Sequence, residues 1–231
     1  MKPINLDLFA VPISIINLGE QSRLFNENVL MQIDQIKKDE QSQLRTGVGV
    51  WQSSTGLEKK YPWINVSLPD YFFSLSLDYI KKAGLTGDVA SYMKCEDFWV
   101  NYNDSPYAYH TPHIHGKGDT MFSGVYYPSS GILNGEHISK TQDLNAPVEI
   151  ISSGQPKPGS LVFLDPVAAT KGQVHPGEKL NRYPYYGLEI CITPREGMLV
   201  LFPHYLQHLV TPTETPDFIR TSVAFNINIK R

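Results

Sequence analysis

From about residue 98 onward the chain is a series of short apolar runs, and this texture constrains the fold more than any other feature. Each run is rich in β-branched and aromatic residues and is bounded by Gly, Pro or Asn, as strands joined by tight turns are. The runs are DFWVNYN, SGVYYP, PVEIIS, GSLVFL, YGLEICITP, GMLVLFP, HLVTP and RTSVAFNINIK. Short strands at close, irregular intervals predict a sandwich or barrel of the jelly-roll type.

The N-terminal part of the chain has a helical periodicity instead. Residues 26–38 (NENVLMQIDQIKK) and 69–84 (PDYFFSLSLDYIKKAG) place apolar side chains at the three- and four-residue spacing of an amphipathic helix. Because short strands leave an apolar face that needs a cover, we expect both helices to pack outside the sheets. The predicted fold class is mainly β with flanking α. It forms one domain over 1–231, with a helical support region at 1–97 and a β core at 98–231.

Composition argues against several classes of partner. The 231 residues have a formal net charge of −3, so no basic footprint indicates nucleic acid binding. No apolar run approaches the roughly 18 residues that a membrane helix needs, and the N-terminus has no signal-peptide pattern. Cys95 and Cys191 have neither metal-binding nor disulfide-type spacing. We expect a soluble, cytoplasmic protein with reduced thiols.

Three of the seven histidines lie in the stretch YHTPHIHGKGD. On a strand, His113 and His115 share one face about 6.5–7 Å apart at Cα, so both rings can turn onto one ion. His110 is out of phase with them and is a candidate for contacts to substrate or to a ligand. A histidine pair needs a further ligand, for which the candidates are His137, His175, His204 and His208. His208 is favoured because it opens the strand run HLVTP, and the HxxxH spacing from His204 is not read as a metal motif.

An HxH pair alone is a weak indication of a metal site, since polar loops use the same residue types. The order of features along the chain is more specific. HxH comes first, His208 follows at a strand edge, and Arg220-x-Ser222 lies on the last long strand.

At these positions the sequence resembles the Fe(II)/2-oxoglutarate-dependent oxygenases of a family frequent in marine bacteria and their phages. The matching segments are WVNYN (99–103), HIH (113–115), SGVYYP (123–128), GSLVFLDP (159–166), GMLVLFPHYLQHLVTP (197–212) and RTSVAFN (220–226), with WQSS near residue 51. The resemblance implies a double-stranded β-helix that holds one non-haem Fe(II) at its open end. It also implies a dioxygenase that hydroxylates an unknown small-molecule or peptide substrate while it converts 2-oxoglutarate to succinate and CO2.

The residue types agree with that chemistry. A non-haem oxygenase needs three protein ligands on one face of the iron, which leaves the other face for the 2-oxo acid and dioxygen. His113, His115 and His208 are the predicted catalytic metal ligands. Arg220 is predicted to bind the distal carboxylate of 2-oxoglutarate, because a planar guanidinium grips a carboxylate with two N–H groups. Ser222, two residues further along the strand, shares that face and can add a hydroxyl.

Two further groups are predicted to contact the cosubstrate. Tyr126, or its neighbour Tyr127, can add a phenolic hydrogen bond, and strand alternation allows only one of them to face inward. Asn101, or Asn103 on the same strand face, can orient the cosubstrate or a ligand histidine.

One position departs from the wider superfamily, in which a carboxylate usually stands two residues after the first histidine ligand. His115 occupies that position here. A third neutral imidazole leaves the ferrous centre one charge unit more positive, which favours a dianionic cosubstrate. Asp119 is the alternative ligand, reached only if the chain turns back after Gly116.

Two functions stay open at this point. One is the oxygenase, and the other is a non-catalytic jelly-roll binding or structural module with a histidine metal site. Arg220 with Ser222 favours the oxygenase, because a structural metal site has no use for a carboxylate clamp. Residues 129–158 look like an insertion and are a candidate lid. No motif identifies the substrate or the oligomeric state, for which a homodimer is one option.

Overall fold

The computed structural model describes residues 10–43, 45–103, 105–116, 118–133, 136–137, 150–151, 156–167, 189–213 and 219–231. Its strands are β1 (Ser14–Asn17), β2 (Gly47–Val48), β3 (Val50–Gln52), β4 (Met93–Asn103), β5 (Tyr109–His113), β6 (Thr120–Leu133), β7 (Glu136–His137), β8 (Ile150–Ile151), β9 (Leu161–Leu164), β10 (Glu189–Ile192), β11 (Met198–Pro203), β12 (His208–Val210) and β13 (Ile219–Ile229). Its helices are α1 (Arg23–Asp39), α2 (Pro62–Ser67), α3 (Pro69–Lys82) and α4 (Val89–Tyr92), with short 3-10 helices at Gly19–Ser22 and Leu57–Lys59. Every run predicted to be a strand contains one.

In the described part of the chain, the strands form two antiparallel sheets. The larger sheet has the order β1-β11-β6-β13-β4-β3, with β7 on β6, and the smaller has the order β2-β5-β12-β9-β10-β8. Apolar residues of both sheets share one core, in which Met198, Val200 and Phe202 meet Leu161 and Phe163. Two facing antiparallel sheets are the architecture expected of the double-stranded β-helix, so the predicted fold class is confirmed.

Strand β13 shows how one strand contributes to two cores. Val223, Phe225 and Ile227 lie on the outer face of the larger sheet, where they join the helices. Ala224, between them, belongs to the core between the sheets. The alternation of side chains along a strand produces this division. The same strand therefore anchors the helical layer and lines the interior.

Helices α1 and α3 cover the outer face of the larger sheet. Ile36 of α1 is fully buried, and Phe72 of α3 stacks on Phe225 with ring centroids 5.1 Å apart and planes at 6°. Burial of a side chain such as Phe72 contributes about 1.5–3 kcal/mol. Pro69 starts α3, where a missing N–H leaves no bond unmade, and Gly84 just beyond its end has a φ of 95°. The predicted outer packing of both helices is confirmed, and we propose that the chain is one domain.

Among the described helices, none combines the length and apolarity needed to cross a membrane. The cytoplasmic location and the homodimer stay predictions.

Residues before 98 also contribute strands, and two of these are edge strands of the two sheets. β2 is the edge strand of the smaller sheet, β3 is the edge strand of the larger, and only Gly49 separates them. Gly49 has a φ of 66°, a left-handed conformation that favours glycine. The chain therefore passes from one sheet to the other here. We call residues 45–55 the seam. Strands of two and three residues are too short to show a period of two in the sequence.

A bulge in β4 lies close to the seam. Between Ala224 and Asn226 of β13 the pairing with β4 slips by one residue, which adds an extra residue to β4. Asp97 sits at this slip with a φ of 58°, unusual for a residue with a side chain. The carboxylate of Glu58 accepts the backbone N–H groups of Asp97 at 3.2 Å and of Phe98 at 3.0 Å. Glu58 thus satisfies the two donors that the bulge exposes.

Glu58→Gln is expected to lower the free energy of unfolding by about 1–2 kcal/mol, because a neutral amide replaces a charged acceptor of two N–H groups. Urea unfolding measures the change. Glu27→Gln, at an exposed position of α1, is the control and should stay within about 0.5 kcal/mol of the wild type. Equal effects of the two substitutions would show that the bulge does not depend on this carboxylate.

Candidate active site

A pocket of about 710 Å³ opens between the two sheets beside the seam. Its volume lies in the range of small-molecule sites. The residues that line it are Arg45, Thr46, Gln52, Thr55, Asp97, Trp99, Asn101, His110, His113, Ile114, His115, Gly116, Thr120, Val125, Tyr127, Leu161, His208, Val210, Arg220, Ser222, Ala224 and Asn226.

Three histidines converge in this pocket. β12 pairs with β5 so that His208 lies opposite His113, and the ligand atoms of His113, His115 and His208 all lie within 4.8 Å of one another. Nε2 of His115 is 3.3 Å from Nε2 of His113 and 3.1 Å from Nε2 of His208. Imidazole nitrogens at right angles around an ion, each about 2.1 Å from it, lie about 3 Å apart. The spacings from His115 to each of the other two rings therefore fit ligands of one metal ion.

His113 lies on a strand and His115 does not, so the prediction that both share one strand face is only partly right. β5 ends at His113, and His115 follows in the segment 114–116, outside the strand. The backbone N–H of His115 donates to the carbonyl of His204 at 3.1 Å, and Nδ1 of His204 lies 3.2 Å from the carbonyl of His115. His204 therefore supports the backbone of His115, and its own ring is not among the three that converge.

Backbone carbonyls orient two of the three rings. Nδ1 of His113 lies 2.7 Å from the carbonyl of Thr111, and Nδ1 of His208 lies 2.9 Å from that of Leu206. A carbonyl can only accept, so Nδ1 carries the hydrogen in both rings and each Nε2 presents a lone pair. The arrangement prepares Nε2 for a metal.

Burial keeps these imidazoles neutral. Desolvation lowers the pKa of His208 to about 3, and it lowers the pKa of His113 against the opposing effect of the Thr111 carbonyl. The pKa of His115 is held well below its usual value by burial and then by the neighbouring histidines. Burial and then the charge of Arg220 lower the pKa of His110 to about 3. Metals bind neutral imidazole, so protons compete little for this site near neutral pH.

Acid is expected to destabilise the metal-free protein. An unfolded histidine titrates near 6.5, whereas the folded pKa of His110 and of His208 is about 3. Between these values the unfolded chain binds more protons, so the free energy of unfolding falls as the pH drops below about 6.5. Each such histidine contributes about 1.4 kcal/mol per pH unit in that window. Urea unfolding at about pH 7 and about pH 5.5 measures the loss. His110→Gln should lose less stability between the two, and an unchanged loss would contradict the assignment.

Arg220 lies in the same pocket and is 2% exposed. Its Nη2 donates to the Tyr127 hydroxyl at 3.0 Å, and its guanidinium lies 4.9 Å from the centroid of that ring. Nε is buried without a hydrogen-bond partner, and no carboxylate of a described residue pairs with the guanidinium. A buried charge without a counter-ion is unfavourable unless a ligand supplies one. Arg220 is therefore suited to bind an anion in the pocket.

The polar groups beside Arg220 come from the next strand and from β13 itself. Ser222 and Asn101 are register partners and both line the pocket, with Nδ2 of Asn101 3.5 Å from Oγ of Ser222. Asn103 is the register partner of Arg220, and both polar atoms of its amide are buried without a partner. Ser222 and Asn101 thus line the same pocket as Arg220, and their contact with 2-oxoglutarate stays a prediction.

Tyr126 does not face the pocket, and this placement corrects the prediction. Its hydroxyl bonds to Oδ1 of Asn26 in α1, and its ring packs on Phe25 and Phe72 behind the sheet. Tyr127, the stated alternative, is fully buried on the pocket side and holds Arg220. Alternation allows one tyrosine inward, and the pairing of β6 with β11 and β13 decides which.

The remaining candidates lie elsewhere. Asp119, the alternative ligand, forms an ion pair with Arg231 and is not among the residues that line the pocket. The side chain of His137 and all of His175 lie outside the described residues, as does most of the candidate lid at 129–158.

Sequence reasoning missed the seam as part of the pocket. Arg45, Thr46, Gln52 and Thr55 line it although they precede the β core. The only signal was the WQSS stretch, since the pairing of β3 with β4 depends on contacts remote in sequence. Asp97 belongs to the strand run DFWVNYN, and nothing in that run indicates the bulge at this position.

The family model described as "Putative 2OG-Fe(II) oxygenase" matches residues 97–226, which is more than half of the chain. That range contains His113, His115, His208 and Arg220. The seam lies outside it. No curated protein matches the sequence.

Solved structures of low sequence identity share the fold. A prolyl hydroxylase from Trichoplax adhaerens, in complex with a hypoxia inducible factor peptide fragment, is 15% identical with a TM-score of 0.53, covering 94% of this chain and 83% of that one. HygX from Streptomyces hygroscopicus, with nickel and 2-oxoglutarate bound, is 12% identical with a TM-score of 0.51 and the same coverage, 94% and 83%. The non-heme alpha ketoglutarate dependent epimerase SnoN of nogalamycin biosynthesis is 10% identical with a TM-score of 0.56, covering 94% and 76%.

Proposed function

This chain belongs to the 2OG-Fe(II) oxygenase family and is an Fe(II)- and 2-oxoglutarate-dependent oxygenase, and we propose that it hydroxylates a substrate in the pocket between its sheets. Fe(II) is held by His113, His115 and His208, and 2-oxoglutarate is held by Arg220. The observation that carries this proposal is that the histidine cluster shares its pocket with a buried arginine that has no carboxylate partner among the described residues.

The residues present fit both groups. The Nε2 atoms of His113 and His208 present lone pairs beside the Nε2 of His115, which suits a divalent metal, and the buried guanidinium suits a carboxylate. When bound, Fe(II) supplies the centre at which dioxygen oxidises 2-oxoglutarate to succinate and CO2 and leaves one oxygen atom for a C–H bond of the substrate. A purely structural metal site would need no buried arginine, so the non-catalytic module has no support here.

The protein side chains do the binding and orienting. Arg220 neutralises the distal carboxylate of 2-oxoglutarate, and Tyr127 fixes the plane of the guanidinium by its hydroxyl and its ring. Ser222 and Asn101 offer a hydroxyl and an amide at the adjacent register position. Trp99 and Phe202 pack on His115 with ring centroids at 4.9 and 5.6 Å and keep water from that side of the cluster.

Tyr127→Phe is expected to weaken 2-oxoglutarate binding by roughly 2- to 12-fold, the loss of one hydrogen bond of about 0.5–1.5 kcal/mol. The hydroxyl holds Arg220 in position, so the iron content should not change. Anaerobic calorimetric titration of the iron-loaded protein measures the affinity. Tyr126→Phe is the matched control, because its hydroxyl bonds to Asn26 behind the sheet. The assignment fails if the Tyr126 variant loses affinity and the Tyr127 variant does not.

Succinate release tests the activity itself. The iron-loaded protein should convert 2-oxoglutarate to succinate in air, slowly without substrate, and should stop when either iron or dioxygen is withheld. Succinate formation that continues without iron, or none at all in protein that binds both iron and 2-oxoglutarate, would contradict the proposal.

A further inference from the structure

The seam forms a wall of the pocket that the family match does not include. Arg45, Gln52 and Thr55 line the pocket from residues 45–55, whereas the match spans 97–226. The iron and cosubstrate groups proposed above all lie within the matched range. The seam is therefore the part of the pocket where this chain's own substrate preference can be built.

Gln52 places a buried hydrogen-bond acceptor without a partner in the pocket. It is the register partner of Asn101 on β4, is 5% exposed and lines the pocket, and its Oε1 is buried without a hydrogen-bond partner. A buried acceptor without a donor costs about 1–3 kcal/mol. Ionised 2-oxoglutarate has only acceptors and cannot satisfy it. A second molecule that carries an N–H or O–H group can.

Asp97 places a carboxylate at the pocket. The bulge holds it at the pocket with a φ of 58°, and Nδ2 of Asn228 donates to its carboxylate at 3.0 Å. Among the described residues, no cation forms an ion pair with it. Retention of a strained residue at a pocket is a reason to look for a functional role. A carboxylate facing the pocket is suited to an ammonium group.

Arg45 places a guanidinium at the same pocket. It is exposed at the pocket, its Nη1 donates to Oγ1 of Thr55 at 2.5 Å, and no described carboxylate pairs with it. The N–H of Gly56, the residue after Thr55, donates to the carbonyl of Phe98, the residue after Asp97. Arg45 and Asp97 therefore belong to the same side of the pocket and present opposite charges there.

The separation between Asp97 and Gln52 sets the length of a ligand that contacts both. Asn101, the partner of Gln52, is four residues from Asp97 along β4, and four residues of regular strand span at most about 13 Å at Cα. The two side chains reach into the pocket from those ends. A ligand that touches both must be elongated.

We infer that the seam and Asp97 bind an α-amino acid whose side chain ends in N–H or O–H donors, an inference that rests on the proposed function. Its carboxylate meets Arg45, its ammonium meets Asp97, and its distal donor meets Oε1 of Gln52. The pocket volume of about 710 Å³ equals roughly two dozen waters at about 30 Å³ each, which is room for this ligand beside 2-oxoglutarate.

Calorimetry with defined probes tests the inference. The full-length protein, anaerobic and loaded with Fe(II) and then 2-oxoglutarate, is titrated with L-lysine, L-arginine and L-glutamine, and then assayed for succinate in air. At least one probe should bind at millimolar concentration or below and raise succinate formation about tenfold. For L-lysine the matched probes are L-norleucine, Nα-acetyl-L-lysine and L-lysinamide, which lack the distal donor, the ammonium and the carboxylate. Each should bind roughly tenfold or more weakly than the parent, the loss of one charge-assisted contact.

Variants locate the contacts. Asp97→Asn, Arg45→Gln and Gln52→Leu should each weaken the effective probe roughly tenfold or more, and asparagine tolerates the backbone conformation at position 97. Glu96→Gln is the control for Asp97, because Glu96 also accepts from Nδ2 of Asn228 at 2.9 Å but does not line the pocket. Arg23→Gln on α1 is the control for Arg45.

The titrations separate failure of the proposed function from failure of this inference. Failure to bind 2-oxoglutarate in the first titration would overturn the proposed function. Binding of 2-oxoglutarate with no response to any of the three amino acids would overturn the inference alone. Equal affinity for L-lysine and L-norleucine, or variants that match their controls, would do the same.

Discussion

His115→Ala is expected to abolish stoichiometric Fe(II) binding and with it succinate formation. Nε2 of His115 lies 3.3 and 3.1 Å from the Nε2 atoms of His113 and His208, so its loss removes the group between the other two. Loss of a side chain that only supports a ligand typically lowers metal affinity by roughly 10- to 100-fold. Loss of the ligand itself should exceed that range. Metal analysis after anaerobic loading and gel filtration measures the iron content.

Asp119→Ala is the matched comparison, because Asp119 is the alternative ligand to His115. Its carboxylate pairs with Arg231 in this structure, so the variant should keep its iron. His204→Ala should also keep iron, with a smaller loss of affinity, because the His204 ring bonds to the backbone carbonyl of His115 and is not one of the three rings that converge. Full iron occupancy in His115→Ala with loss in Asp119→Ala would show that the triad is wrong.

Arg220→Ala is expected to weaken 2-oxoglutarate binding by roughly 30- to 1000-fold, or on the order of 2–4 kcal/mol. The guanidinium is 2% exposed and bonds to Tyr127, so it meets a carboxylate where water does not compete. Arg220→Lys keeps the charge but loses the two-pronged geometry, and its loss of affinity should be smaller. Iron content should not change, because Arg220 is not a ligand. Anaerobic titration of the iron-loaded variants separates the two effects.

Arg220→Met tests the same contact through protein stability, which should not fall although the affinity for 2-oxoglutarate does. Without cosubstrate, a buried charge that lacks a carboxylate partner opposes folding, so a methionine of similar length should leave the metal-free protein as stable or more stable. In the wild type 2-oxoglutarate should raise the melting temperature, and in the methionine variant it should not. Stabilisation of both proteins by 2-oxoglutarate to the same extent would contradict the clamp.

Much of the fold was predictable because local pattern and tertiary packing agree. In β13, Val223 and Phe225 face the helices and Ala224 faces the inner core, and such two-sided burial produces the short apolar run VAF. Helix α3 was predictable because one stripe, including Phe72, covers the sheet. In both elements the hydrophobic pattern is set by what the element itself buries.

The seam and the choice of tyrosine were not predictable, because long-range pairing decides both. β2 and β3 are too short for a pattern, and only their partners β5 and β4 make them strands. Tyr126 and Tyr127 are chemically alike, and the pairing of β6 with β11 and β13 puts the first behind the sheet. In the site, the histidine cluster was predictable from residue type and order. The end of β5 at His113 was not, because the Ile114 to Gly116 segment is held by His204 from another part of the chain.

The most direct test of the central claim is one anaerobic calorimetric titration of 2-oxoglutarate into the wild type, with and without one equivalent of Fe(II). We expect one 2-oxoglutarate per chain, bound markedly more tightly when iron is present, and bound weakly by Arg220→Ala in both conditions. Affinity that is the same with and without iron, or no binding at millimolar concentration, would contradict the claim that the histidine cluster and Arg220 form one iron and 2-oxoglutarate site.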